Sequence, residues 1–366
     1  MKKIKLNNRF ILGILIICFC GILGIFFPKS QKITEKNQRF LKLMREGRSA
    51  EAITYIDDIL TIDTINPVFY ANKAYALLQK NSVTIDLNKF VQKENVSIYF
   101  DDFEQVMLLF QKASELSPED PIFIHNTGWL YILKNDFIQG RLYLETALEK
   151  SPKDPILNIS LGMLEEKEGH EEYANLLYAK AIALSPFLIE TPFFKNLCNR
   201  ISTEEILNTA EIILIDSLKK DNSYVLKSKL AKLYWSHGKE QEAKRILEEV
   251  TGEYPNMNRA WLMLGKLNEE INDSLALVYY NKSKLLDPQD ELPYYYQAKF
   301  FFRKGDITQS NKLYNIALLM NKLNYTNYVI RSKQIYHAQI WENEYFPQQL
   351  LSWTTVRLLP VDKELL

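Results

Sequence analysis

Glycine and proline are scarce, at twelve and thirteen in 366 residues, and they fall at turns, which excludes long disordered linkers. Cysteine is scarcer still. Of three, Cys18 and Cys20 lie in an apolar run near the amino terminus, leaving Cys198 without an intramolecular disulfide partner in the rest of the chain. Neither sign of charge is in excess: 45 Lys and Arg face 45 Asp and Glu, so the basic surplus that nucleic-acid binding needs is missing. No glycine-rich phosphate loop, G-x-S-x-G, H-E-x-x-H or C-x-x-C string occurs. His125, His170, His237 and His337 are far apart, and Asp57-Asp58 and Asp101-Asp102 lack the spacing of a calcium loop. These absences lead us to expect no catalysis, no cofactor and no metal.

What is present is self-similarity. Gly128, Gly140, Leu144, Ala147 and Pro152 are each followed 34 residues later by Gly162, Ala174, Tyr178, Ala181 and Pro186. The phase extends both ways. Gly47, Ala52, Ile56 and Ile59 fit a first unit over about 33–66. Pro67, Tyr70, Ala74 and Leu77 open a second, whose other half, Val106, Phe110, Ala113 and Pro118, arrives twenty residues late, so 81–100 reads as an insertion between its two helices. The pattern fades over 189–222, where Thr191-Pro192 suggests one helix start and Ser202 with Glu205 another. It then returns three times over 223–322: through Leu230, Ala231, Tyr234, Gly238, Ala243, Leu247 and Pro255; through Trp261, Leu264, Gly265, Ala276, Tyr280 and Pro288; and through Tyr294, Ala298, Phe301, Gly305, Tyr314 and Ala317. Beyond it, a helix from Asn324 to about Trp341 and a folded-back tail, together 323–366, would cover the last unit.

Small residues alternating with bulky ones at this period let paired helices approach and interlock, and proline ends each pair. The pattern, with the W-x-x-L-G string Trp261–Gly265, resembles the tetratricopeptide repeat (TPR) family. The resemblance implies an all-α solenoid, a right-handed superhelix of helix-turn-helix repeats with seven or eight pairs, N-terminal (33–188) and C-terminal (223–322) arrays joined by the degenerate unit 189–222, and a concave groove that holds a protein partner.

Ahead of the repeats, residues 1–9 form a basic tail with Lys2, Lys3, Lys5 and Arg9, and Phe10 to Phe27 run uncharged for eighteen residues. At helical rise that is roughly 27 Å, close to the ~30 Å hydrocarbon core of a bilayer. Residues 10–27 therefore read as a single uncleaved transmembrane anchor; a cleaved or lipidated signal is the other reading, against which stand the length of the run and bulky Ile17 and Phe19. The basic tail favours an N-in orientation, which predicts a bacterial inner-membrane protein with the repeats outside the cytoplasm. Lys29, Lys32, Lys36 and Arg39 just past the span weaken that contrast.

In TPR proteins the first helix of each pair, helix A, lines the groove. Projected onto this sequence, the resemblance assigns partner binding to Asn72, Tyr75, His125, Asn126, Trp129 and Met163 in the N-terminal half. In the C-terminal half it assigns Lys229, Lys232, Trp235, Arg259, Lys266, Tyr295, Tyr296, Lys299 and Arg303. Lys232, Lys266 and Lys299 share one place in three successive units, a ladder suited to an acidic peptide or, as the alternative, to an anionic polysaccharide (or its assembly enzyme) with aromatic rings stacking beside it. The lysine and asparagine set by which some family members grip a terminal carboxylate is incomplete.

Overall fold

The computed structural model of the chain describes residues 32–44, 46–81, 100–190, 194, 197–269 and 271–331, the last eleven as backbone. The basic tail, the apolar run 10–27, nearly all of the insertion, Thr191-Pro192 and the tail after Arg331 lie outside them. Among the described residues there is no strand, and no helix is long and apolar enough to cross a membrane.

The helices come in antiparallel pairs. We label them α1 (32–44) and α2 (Ser49–Ile62), α3 (Pro67–Lys80) and α4 (Phe103–Leu116), α5 (Pro121–Leu133) and α6 (Phe137–Lys150), and α7 (Pro155–Glu168) and α8 (Glu171–Leu184). After a 3-10 turn, Pro186–Glu190, follow α9 (Thr203–Lys220), α10 (Tyr224–Ser236) and α11 (Glu240–Glu253), α12 (Asn258–Asn268) and α13 (Asp273–Leu286), and α14 (Leu292–Arg303) and α15 (Ile307–Arg331). From α3 onward each paired helix packs most extensively on its mate and next on the adjoining helix of a neighbouring unit, whereas α9, which has no mate, packs on α8 and then on α10. That is the stack of helix pairs which the resemblance implies.

Local chemistry sets each pair. Asn66, Asp120 and Asp154 stand just before Pro67, Pro121 and Pro155, and their side chains accept from the N–H of Val68 (3.1 Å), Ile122 (3.0 Å) and Ile156 (2.9 Å). The caps satisfy orphan amides of α3, α5 and α7, and proline has no N–H to leave unpaired there. The turn between α7 and α8 passes through Gly169 at φ 89°, a left-handed conformation that costs a residue with Cβ. Within pairs, glycine admits a ring: a Cβ at Gly162 would meet Tyr178 at 2.7 Å, and one at Gly265 would meet Tyr280 at 2.6 Å.

Burial follows the stack. One cluster runs without a break from Ala71 to Leu267, while Phe40 to Ala76 form a separate one at the amino-side end. Leu262, Ala276, Tyr280, Leu292 and Tyr296 make another at the opposite end. Polar staples tie neighbouring units. The Tyr178 hydroxyl donates to Glu166 at 2.6 Å, and Arg200 from the next unit donates to the same carboxylate at 3.0 Å. Tyr280, Glu269 and Arg303 repeat the arrangement three units on.

The degenerate stretch departs from the pattern. Ser202 precedes α9 as the spacing predicts but makes no side-chain cap bond. Where a first helix belongs stands the 3-10 turn, with Leu188, Phe194 and Leu197 buried. At the insertion, Asp102 accepts from Asn81 at 2.7 Å and from Lys80 at 3.0 Å, so the chain leaves and re-enters the stack at one carboxylate. One boundary is corrected. The sequence suggested a break near 322 and a new helix from Asn324, yet α15 runs unbroken to Arg331, because neither glycine nor proline interrupts that stretch.

Candidate functional site

Side chains of successive A helices meet in two stretches, α5 with α7 and α10 through α14. His125 of α5 reaches Ser160 of α7 at 2.8 Å, and Lys266 of α12 reaches both Trp235 of α10 and Tyr296 of α14. In the last three units these helices carry a single sign. Helices α10, α12 and α14 carry Lys227, Lys229, Lys232, Arg259, Lys266, Lys299 and Arg303 and no Asp or Glu. Acidic residues sit instead on the B helices, five of them on α11.

The cations divide into two groups. Lys227 meets Glu249 at 2.5 Å and Glu253 at 3.2 Å, Arg259 meets Asp290 at 3.4 Å, and Arg303 meets Glu269. These belong to the internal bonding of the stack. Lys232, Lys266 and Lys299 instead lie over rings. The Lys232 ammonium is 4.2 Å from the Trp235 centroid and 5.0 Å from that of Phe187. Lys266 is 4.6 Å from Trp235 and 4.1 Å from Tyr296, and Lys299 is 5.5 Å from Tyr295. Each ring turns the negative face of its quadrupole to a cation, which adds an attraction for the ammonium there.

Lys232 departs most from the projection, being only 1% exposed. Burial lowers its pKa well below the usual lysine value, and repulsion from Lys266 adds to the effect. Lys229 is half-buried and its pKa is lowered by burial, then by Lys153, which lies ahead of α7. Tyr296 is buried; Trp235, Arg259, Lys266 and Tyr295 are half-buried; Lys299 and Arg303 are exposed. Between these helices lies a narrow slot lined by Phe187, Trp235, Arg259, Lys266 and Tyr296.

The N-terminal half differs from the projection. His125, Asn126, Trp129 and Met163 are buried rather than laid out as a floor; only Asn72 and Tyr75 are half-buried. The reason is that α5 is apolar on nearly all sides and is buried between α4 and α6, with His125 and Trp129 reaching Ser160 of α7. The Trp129 indole donates toward His125 Nε2 at 3.1 Å and toward Ser160 at 3.2 Å, so these polar groups serve the packing. The projection missed Phe187 and Lys153. Phe187 belongs to the 3-10 turn that replaces a helix, so no repeat position marks it, whereas Lys153 lies in the turn ahead of α7 and is brought close only by the stacking. Among the described residues no cluster of metal-ligating side chains occurs.

No protein-family model and no curated protein matches the chain. Solved structures of low similarity do. A tetratricopeptide repeat protein from Parabacteroides merdae is 13% identical with a TM-score of 0.35, covering 79% of this chain and 99% of its own. The pilF protein of Pseudomonas aeruginosa is 13% identical with a TM-score of 0.33, covering 74% and 99%. MamA, from residue 41 to its end, of Desulfovibrio magneticus is 13% identical with a TM-score of 0.34, covering 62% and 97%. At these TM-scores the likenesses carry no argument. The helix-pair stack stands on its own geometry.

Proposed function

We propose that the chain is a non-enzymatic, TPR-like scaffold that holds a protein partner on its A-helix face, tethered to a membrane by residues 10–27 as part of a bacterial envelope complex. The carrying observation is the composition of these helices: three successive A helices carry seven cations and no carboxylate, with Lys266 and Lys299 reaching the surface over rings. Like charges gathered on one set of helices repel one another, and an anionic group of a partner laid along them would lower that repulsion. A tether makes modest affinity sufficient, because scaffold and partner share a thin layer at the membrane. N-in insertion would put the repeats outside the cytoplasm.

The polysaccharide alternative is less well supported. A sugar stacks on an open ring face, and the faces of Trp235, Tyr296 and Tyr295 each lie beneath a lysine ammonium. The test is a photo-crosslinking residue placed at Asn72 or Lys299 on the A face and at Lys282 on a B helix, in native membranes. The scaffold reading expects one protein adduct from the A face and none from Lys282; no adduct from either A-face position overturns it. A reporter fused after Leu366 reads the orientation, and activity only in the cytoplasm overturns N-in.

A further inference from the structure

We propose that the chain's own carboxyl-terminal segment, residues 332–366, lies along the A-helix face, so that the partner has to displace it. The displacement rests on the scaffold reading and deepens it; the placement has grounds of its own.

Burial is the first ground. From Pro155 to Glu165 every residue of α7 is buried, and so is every residue of α5 from Phe123 to Leu133 except Tyr131. Such a run makes about three helical turns, so no side of either helix is left open. The stack alone does not require this. Helix α12 lies between α11 and α13 as α7 lies between α6 and α8, yet Arg259, Trp261 and Lys266 of α12 are only half-buried. Among the described residues no other helix packs extensively on α5 or α7. Even so, the residues projected onto the groove there, His125, Asn126, Trp129 and Met163, are at most 1% exposed. All of this burial arises within the one chain, which points to another segment of it on that side.

Chain order is the second ground. Helix α15 ends the last unit, so the segment leaves from the cationic end of the face and comes to α7 and α5 last. Its residues follow the same order. Glu342 and Glu344 come first, with no Lys or Arg between Gln334 and Val356, and Phe346, Leu350, Leu351 and Trp353 come after. Acidic residues would thus meet α14, α12 and α10, which carry no Asp or Glu, and apolar ones would meet α7 and α5. Reach is ample. The 35 residues after Arg331 extend to roughly 115 Å, against roughly 50 Å for the units from α14 back to α5 at about 10 Å each. Residues 10–27 are assigned to the bilayer, which leaves the insertion as the other candidate cover.

The test uses the full-length chain in detergent, as a mixture of isotopically heavy and light copies. A photo-crosslinking residue is placed at Tyr345, at Trp353 or, in the insertion, at Phe90. Mass spectrometry is expected to find adducts within one copy, from Tyr345 to α10, α12 or α14 and from Trp353 to α5 or α7. Adducts confined to the B helices, adducts only between heavy and light copies, or a link to α5 and α7 from Phe90 in place of Trp353 each overturn the inference. A second measurement reads the cover directly. Phe346→Glu with Trp353→Glu should speed peroxide oxidation of Met163 by about fivefold or more, while Met44 and Met107, buried within the stack, should react as in the wild type. Unchanged oxidation of Met163 overturns the inference; a rise at all three marks lost folding, and the crosslinks then decide alone. Displacement is read in native membranes, where the same double variant should raise the protein adduct from Lys299 by about threefold or more. An unchanged adduct overturns the competition with the partner, whereas no adduct in either protein overturns the scaffold reading and leaves the placement to the crosslinks.

Discussion

Gly265 lies against the ring of Tyr280 so closely that a Cβ would stand 2.6 Å from its Cε1 carbon, and Gly162 holds Tyr178 in the same way at 2.7 Å. Both rings are buried and both hydroxyls are tied to a glutamate, so neither can swing aside. Gly265→Ala is therefore expected to destabilise the chain by about 1–3 kcal/mol from overpacking, less up to about 1 kcal/mol regained from helix propensity. Denaturant unfolding measures it. The exposed Gly252, with open space around its Cβ position, is the control, and Gly252→Ala should be neutral or slightly stabilising.

Glu166 joins Tyr178 to Arg200, and both charged side chains are nearly buried, at 10% and 8% exposed. Glu166→Gln keeps an acceptor for the tyrosine but leaves the guanidinium without its counter-charge. A loss of about 3 kcal/mol is expected, felt where α7 meets the unit after it. An unfolding midpoint equal to that of the wild type would contradict this.

Asp102 closes the insertion on Asn81 and Lys80, and these two hydrogen bonds, Asn81 first, hold its pKa below the usual 3.8. A carboxyl group with a lowered folded pKa contributes stability above its unfolded value, and that stability is lost as pH falls through the folded one. Asp102→Ala should thus cost about 0.5–1 kcal/mol at pH 7, limited by solvent access, and nothing once pH is well below 3.8. Thermal midpoints of the two proteins against pH test it: curves that stay parallel into acid would refute the assignment.

Lys232 carries the opposite sign. Its pKa is lowered by burial and then by Lys266, so the unfolded chain binds the proton more strongly than the folded one. Stability is depressed at neutral pH and recovers as pH rises from the folded pKa toward 10.5. Lys232→Met should raise stability on the order of 1 kcal/mol near pH 7, net of the lost contact with Trp235, and its advantage should shrink toward pH 10.5. Scanning calorimetry at pH 7 and 10 measures it, and a lower midpoint for Lys232→Met at pH 7 would refute it.

Much of the fold was legible because its determinants are local and repeat. Gly162 and Tyr178 stand 34 residues after Gly128 and Leu144, Ser202 stands just before α9, and the Gly265–Tyr280 contact follows from a small residue set against a large one at fixed spacing. The candidate site was legible only in part. Repeat position placed Lys232, Lys266 and Lys299 in one row, but it gave no measure of their depth, and burial separates Lys232 from Lys299. His125 and Trp129 looked like offered polar groups, yet burial depends on how α5 seats against α7, which a period does not encode. Phe187 stood outside any unit.

Each outer unit of the stack has a neighbour on one side only, so its contacts with the rest are the fewest. Heat should loosen the outer units while the middle still holds. Trp235 packs on the long seam and Tyr296 on the carboxyl-side cluster, and Lys266 spans the two. Lys266 thus ties three successive A helices together, and a ligand gripping it would act as a suture on the carboxyl-side units.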